Sequence, residues 1–225
     1  MPCSHKFFGH RHHLANENGL LPNWDVDTLI IGTFNPSNEW VANNPANYFY
    51  GRSRYFWKVL PRFACGDAIN NNDVTNQLDF LQTNRIGLTD LLISINDANI
   101  DNVEHLNWVR TYLDNDLFNF EEFTWNTVNI IRFIQQKKVK AVYFTKMGNG
   151  APFGSQMEII EAFCNMHNIP ILQNFRIHTP TGQGLGAGTP RVNRLTHRWF
   201  EQGGNQFPFL CPDFNINNPD FAWHI

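Results

Sequence analysis

Thr28-Leu29-Ile30-Ile31-Gly32, running on into Thr33-Phe34-Asn35-Pro36-Ser37, is the stretch that decides the fold. The first five residues are short, continuous and rich in β-branched side chains. That is the pattern of a strand buried on both faces, as in a parallel sheet. The next five form a polar turn. Gly32 permits close approach or unusual backbone angles where the strand ends. Asn35 offers both an acceptor and a donor, and Pro36 fixes the backbone that follows.

Outward from this strand the chain alternates. Residues 86–93 form a second apolar segment, 139–145 a third, and 169–172 a last short strand. Helical spacing predicts helices over 54–63 (Phe56, Trp57, Leu60 and Phe63 on one face), 125–136 (Val128, Ile131, Ile134), 155–167 and 190–201. Residues 66–77 read as surface loop or the start of a polar helix, and 96–107 as polar connection. Strands alternating with helices predict an α/β domain with an open, mostly parallel sheet covered by helices. Ligands bind such sheets where strand carboxyl ends meet loops. That gathers residues 32–37, 145–150 and the loop after Ile177 at one end. One domain over 1–225 is expected, with 1–27 as a polar, His-rich extension and 203–225 as an aromatic tail packed on the body.

The 225 residues carry 17 basic and 20 acidic side chains, a formal charge of −3, so the chain is not a coating protein for nucleic acid. No apolar run reaches the ~20 residues of a membrane helix, and the start lacks the apolar stretch of a signal peptide. A cytoplasmic monomer that stays off membranes is expected. Cys3, Cys65, Cys164 and Cys211 are widely spaced without a CxxC pair, which predicts four reduced thiols. His5, His10, His12 and His13 fit no ligand spacing, so no metal is expected. The 20 Phe, 7 Trp and 5 Tyr exceed what a core needs and leave rings for stacking on a flat ligand.

Two further segments carry polar chemistry. In Tyr48-Phe49-Tyr50-Gly51-Arg52-Ser53-Arg54, Phe49 or Tyr50 can stack on a base, and Arg52 and Arg54 can hold phosphates. In Arg176-Ile177-His178-Thr179-Pro180-Thr181-Gly182-Gln183-Gly184-Leu185, His178 can donate to a developing anion. The hydroxyls and amides around it suit a phosphate backbone. The loop lacks the Gly-Lys-Ser/Thr of a Walker A motif, and the turn after Gly32 lacks the spaced glycines of a dinucleotide site. No cofactor is expected.

Gly-Thr-Phe-Asn-Pro-Ser, then Phe-Tyr-Gly-Arg-Ser-Arg-Tyr-Phe-Trp-Lys-Val-Leu, then Gly87-Leu88-Thr89-Asp90-Leu91, then Thr179-Pro180-Thr181-Gly182, together resemble the uracil-DNA glycosylase superfamily. The resemblance runs from about residue 28 to 200, closest to the mismatch-specific uracil and hypoxanthine branches. It implies a three-layer α/β/α fold around a central, mostly parallel four-stranded sheet. Asn35 would position and polarise the attacking water. Gly32, Thr33, Phe34, Pro36, Phe49 and Tyr50 would surround the extruded base. Ser37, Arg52, Arg54, Thr179, Thr181 and Gly182 would meet the DNA, with Leu185 as a wedge. His178 is similar to the motif His of the main uracil branch. Arg54 stands where the hypoxanthine branch has Asn, and Thr179 and Thr181 stand for Asn and Ser.

The resemblance implies a monofunctional DNA glycosylase acting on DNA with a deaminated or mismatched base. With no carboxylate in the first motif, a slow enzyme is expected. The alternatives are a non-catalytic nucleic-acid-binding module and a nucleosidase-type enzyme acting on small molecules.

Overall fold

The computed structural model describes residues 1–8, 20–167, 169, 176–185 and 190–221. In chain order the elements are β1 (Cys3–Ser4), β2 (Thr28–Gly32), α1 (Phe56–Phe63), α2 (Val74–Thr83), β3 (Ile86–Asp90), β4 (Leu92–Ile95), α3 (Val103–Arg110), β5 (Phe123–Trp125), α4 (Thr127–Lys137), β6 (Ala141–Phe144), α5 (Phe153–Met166) and α6 (Arg191–Glu201). Among the described residues they make a mixed α/β protein with two three-stranded sheets.

The first sheet is parallel, in the order β3-β2-β6. Every residue of β2 is buried, so its apolar run has a protein layer on each side. Ile30 faces a core built with Leu88, Tyr143 and residues of α1 and α6. Leu29 and Ile31 face a second core with Val142, Phe144 and residues of α4 and α5. Beyond β6 the ladder continues as a parallel bridge from Phe144 to Arg176, and Ile177 donates its amide to the Phe144 carbonyl at 2.9 Å. The strand expected at 169–172 lies outside the described residues, apart from Ile169.

The second sheet is antiparallel, in the order β1-β4-β5. It corrects two expectations. Residues 86–93 are not one strand, because the chain changes sheets at Leu91. Leu91 and Leu92 donate to the Gly32 and Thr33 carbonyls at 3.0 and 3.1 Å. The buried Asn126 side chain braces the crossover, donating to the Asp90 carbonyl at 3.0 Å and Thr89 Oγ1 at 3.1 Å. The start of the chain is likewise no appended tail: β1 is a strand of this sheet, and Cys3, His5 and Phe7 are fully buried. His10, His12 and His13 lie outside the described residues.

Helix positions shift where tertiary packing outweighs spacing. The polar 96–107 connection contains the start of α3, where the Asn102 side chain accepts from the Glu104 and His105 amides. On α4 the buried face is Ile130, Phe133 and Ile134, while Val128 is 58% exposed. The expectation of four thiols also fails: Cys65 and Cys211 form a disulfide, with Cα atoms 5.8 Å apart. Phe214 stacks on Phe63 at 4.9 Å and the Cys211 amide donates to the Phe63 carbonyl at 2.7 Å, so α1 and the tail segment already abut where the thiols meet. Among the described residues, no helix is long and apolar enough to cross a membrane.

Alkylation of the denatured, unreduced protein should therefore modify two cysteines, and four after reduction. The bond closes a long loop, so reduction should lower stability by about 2–5 kcal/mol in a denaturant titration. Four reactive thiols before reduction would contradict the pairing.

Candidate active site

The parallel ladder brings three strand ends to one edge. Gly32 pairs with Asp90 and Ile31 with Phe144, so Gly32, Asp90 and Thr145 are neighbours. They line a cavity of about 570 Å³ with Thr33, Phe34, Asn35, Tyr50 and the 178–184 loop. That size lies in the ~300–1,000 Å³ range of small-molecule sites. One end is buried: Gly32, Asn35, Asp90 and Thr145 are all inaccessible or nearly so. The rim is exposed at Thr181, Gln183, Gly184, Met147 and Leu113.

Asp90 is the feature that the sequence analysis missed. It is 6% exposed, and its Oδ2 lies 2.7 Å from His5 Nε2. His5 Nδ1 accepts from the Phe7 amide at 3.1 Å, so the ring proton resides on Nε2 and is donated to Asp90. Asp90 Oδ1 lies over Gly32: a methyl group there would collide with Oδ1 and come within 3.0 Å of the Tyr50 hydroxyl. The signal in the sequence was a lone carboxylate inside an otherwise apolar run, residues 86–93. Nothing in the sequence marked His5 as its partner.

Tyr50 reaches the cavity because its backbone is left-handed, with φ of 57°. That conformation costs a non-glycine residue about 1–3 kcal/mol. Its ring stacks on Phe56 at 3.8 Å and its hydroxyl meets Thr145 Oγ1 at 3.0 Å, which hold it there. Burial, with the Asp90 charge second, raises the phenol well above its ordinary range against the opposing Thr145 hydrogen bond. Tyr50 therefore keeps its proton and can donate. Its neighbour Phe49 turns inward, is 1% exposed, and packs beside His5 and Phe7, where no base can stack on it. Phe34 is a non-hydroxylated aromatic ring on the cavity wall.

The amide of Asn35 is fixed by a chain of bonds. The Ala46 amide donates to Asn44 Oδ1 at 3.1 Å, so Asn44 must donate from Nδ2, which it does to Asn35 Oδ1 at 3.0 Å and the Pro36 carbonyl at 2.8 Å. Asn35 thus keeps one Oδ1 lone pair and its NH₂ group for a ligand. Pro36 and Ser37 are buried behind the cavity wall. Pro36 bridges to His5 and the Ser37 amide donates to the Ser4 carbonyl at 2.9 Å, so Pro36 lies off the cavity lining expected for the base and Ser37 is not placed to touch DNA.

The rim is built by two loops. Ser53 Oγ donates to the Pro180 carbonyl at 2.6 Å and accepts from the Tyr55 and Phe56 amides, tying the start of α1 to the 178–184 loop. His178 Nε2 donates to the Gln183 carbonyl at 2.8 Å, so this ring clasps its own loop. The amides of Gly182, Gln183 and Leu185 are also bonded within the loop, and the Thr179 and Thr181 hydroxyls, 3.2 Å apart, pair with each other on the cavity lining. Gly182 has φ of 73° and its Cα faces the Tyr55 ring. Leu185 is 7% exposed and packs in the core, which withdraws it as a wedge. Arg52 stacks on Tyr112, 2.9 Å from the ring centroid, on the cavity wall. Burial lowers its guanidinium to about 10, with Tyr112 opposing, so it stays charged at neutral pH. Lys146 pairs with Asp114 at 2.9 Å, and Arg54 is exposed outside the cavity.

Among the described residues, no three His, Cys, Asp or Glu side chains gather as a metal site. No protein-family model matches the chain, and no curated protein matches its sequence.

Gly32→Ala should force Asp90 and Tyr50 aside at a cost of about 1–3 kcal/mol in a denaturant titration. Wild-type stability would show that these groups do not crowd Gly32.

Proposed function

We propose that this protein is a monofunctional DNA glycosylase of the uracil-DNA glycosylase superfamily. On this reading it has that group's three-layer fold and four-stranded sheet, and it removes uracil or another deaminated or mismatched base. The observation that carries the reading is the polarity of the cavity: a carboxylate, a phenol and an amide at the buried end, hydroxyls and a cation at the rim. A flat base fits the buried end, and its sugar and phosphates fit the rim beside Thr179, Thr181 and Arg52. Extruding the nucleotide costs a few kcal/mol, and the closed site must recover it.

With the base inside, Asp90 Oδ1 accepts a ring N–H and the Tyr50 hydroxyl donates to the adjacent carbonyl. That pair matches the amide-like edge that deamination creates. The free lone pair of Asn35 Oδ1 holds a water against C1′ of the sugar. The water oxygen bonds to C1′ as the bond from C1′ to the base nitrogen breaks, and the water proton ends on the departing base. Negative charge growing on the base is met by the Tyr50 hydroxyl and the Asn35 NH₂ group. Asp90 supplies the carboxylate that the first motif lacks, and it serves base recognition.

A second reading, a hydrolase of free nucleosides, draws on Asp90 and Asp114 in the cavity lining and on the net charge of −3. It predicts nucleoside turnover and little salt-dependent DNA affinity.

The test is single-turnover base release from single- and double-stranded oligonucleotides containing uracil, hypoxanthine or mismatched thymine. Release from at least one is expected, and Asn35→Ala should slow it about a hundredfold while DNA binding persists. No release from any substrate would overturn the proposal.

A further inference from the structure

We infer that His5 is a positioning residue: the first strand of the chain delivers it behind the cavity to hold the Asp90 carboxylate with one oxygen turned to the ligand. This inference rests on the cavity being the base site.

The segment that carries His5 is zipped into the molecule on both sides. On one side the His5 amide donates to the Ile93 carbonyl at 2.7 Å. On the other, the Lys6 amide donates to the Asn35 carbonyl at 2.8 Å and the Ser37 amide to the Ser4 carbonyl at 2.9 Å. The backbone bearing His5 therefore fills the gap between β4 and the 35–37 turn. Its ring is fully buried in an aromatic box, with the Phe7, Phe34 and Phe49 centroids at 5.6, 5.7 and 5.8 Å. Phe49 thus contributes from behind, by confining His5.

Inside this box the ring has one orientation and one tautomer. The Phe7 amide occupies Nδ1, so Nε2–H must point at Asp90 Oδ2. A buried carboxylate oxygen without a partner would turn toward any available donor, including the Tyr50 hydroxyl. With Oδ2 engaged by His5, Oδ1 stays over Gly32 and both Tyr50 and Asp90 remain available to the base. The chemistry is that of a third group orienting the second, with a carboxylate as the group oriented. His5 touches no ligand and acts only through Asp90.

The experiment is a double-mutant cycle on single-turnover base release, using the oligonucleotide that the wild-type protein cleaves best. His5→Phe fills the box without a donor, and His5→Gln keeps a donor where Nε2 stood. Melting curves and circular dichroism establish that each variant is folded. His5→Phe should slow release about tenfold, and His5→Gln should restore most of the rate. His5→Phe should add little to Asp90→Asn, because His5 acts only through the Asp90 carboxylate. A wild-type rate for His5→Phe, or losses that simply multiply, would overturn the inference. If the wild-type protein releases no base, the glycosylase reading fails and His5 is judged on the carboxyl itself. The ¹³C resonance of the Asp90 carboxyl should then move in His5→Phe and return in His5→Gln. An unmoved resonance would overturn the inference.

Discussion

Gly32 and Asp90 face each other across the last rung of the parallel ladder between β2 and β3, and the site depends on that pairing. A side chain at position 32 would occupy the space that Asp90 Oδ1 and the Tyr50 hydroxyl use. A one-residue slip of β3 would replace Asp90 with Thr89 or Leu91 and turn a buried carboxylate into the core. Register is held against such slips by the two cores, since alternate residues of β2 face opposite sides. The hydrophobic pattern of the strand therefore sets the chemistry at its end, although none of its apolar side chains takes part.

The second sheet supplies what the first cannot. A parallel sheet ends in loops, and loops hold polar groups loosely unless something braces them. Here β1, β4 and the braced crossover at Asn126 surround the ends of β2 and β3 with regular hydrogen bonds. Asp90 consequently has a partner from the start of the chain, and the 35–37 turn is pinned by the same segment. Positioning in the proposed glycosylase thus belongs to both sheets.

Much of this was legible in the sequence, for identifiable reasons. The strands at 28–32 and 141–144 stood out because burial on both faces demands a continuous apolar run. Asn35 and the 178–184 loop were found because they follow strand ends. The break at Leu91 was hidden, because an apolar run looks the same whether it serves one sheet or two. Phe49 and Tyr50 looked alike, and only the left-handed backbone at Tyr50 separates the core ring from the cavity ring. Leu185 had the right place in the chain for a wedge, but a short loop clasped by His178 folds it inward. The contact between His5 and Asp90 spans 85 positions and joins a polar start to an apolar strand, so no local pattern announces it.

The central claim is that a base occupies the buried end of the cavity between Asp90 and Tyr50. A crystal structure with a non-cleavable deoxyuridine or deoxyinosine oligonucleotide tests it most directly. The account predicts an extruded base with a ring N–H on Asp90 Oδ1, its carbonyl at the Tyr50 hydroxyl, and a water between Asn35 and C1′. A base bound elsewhere, or stacked in the duplex with the cavity empty, would contradict it.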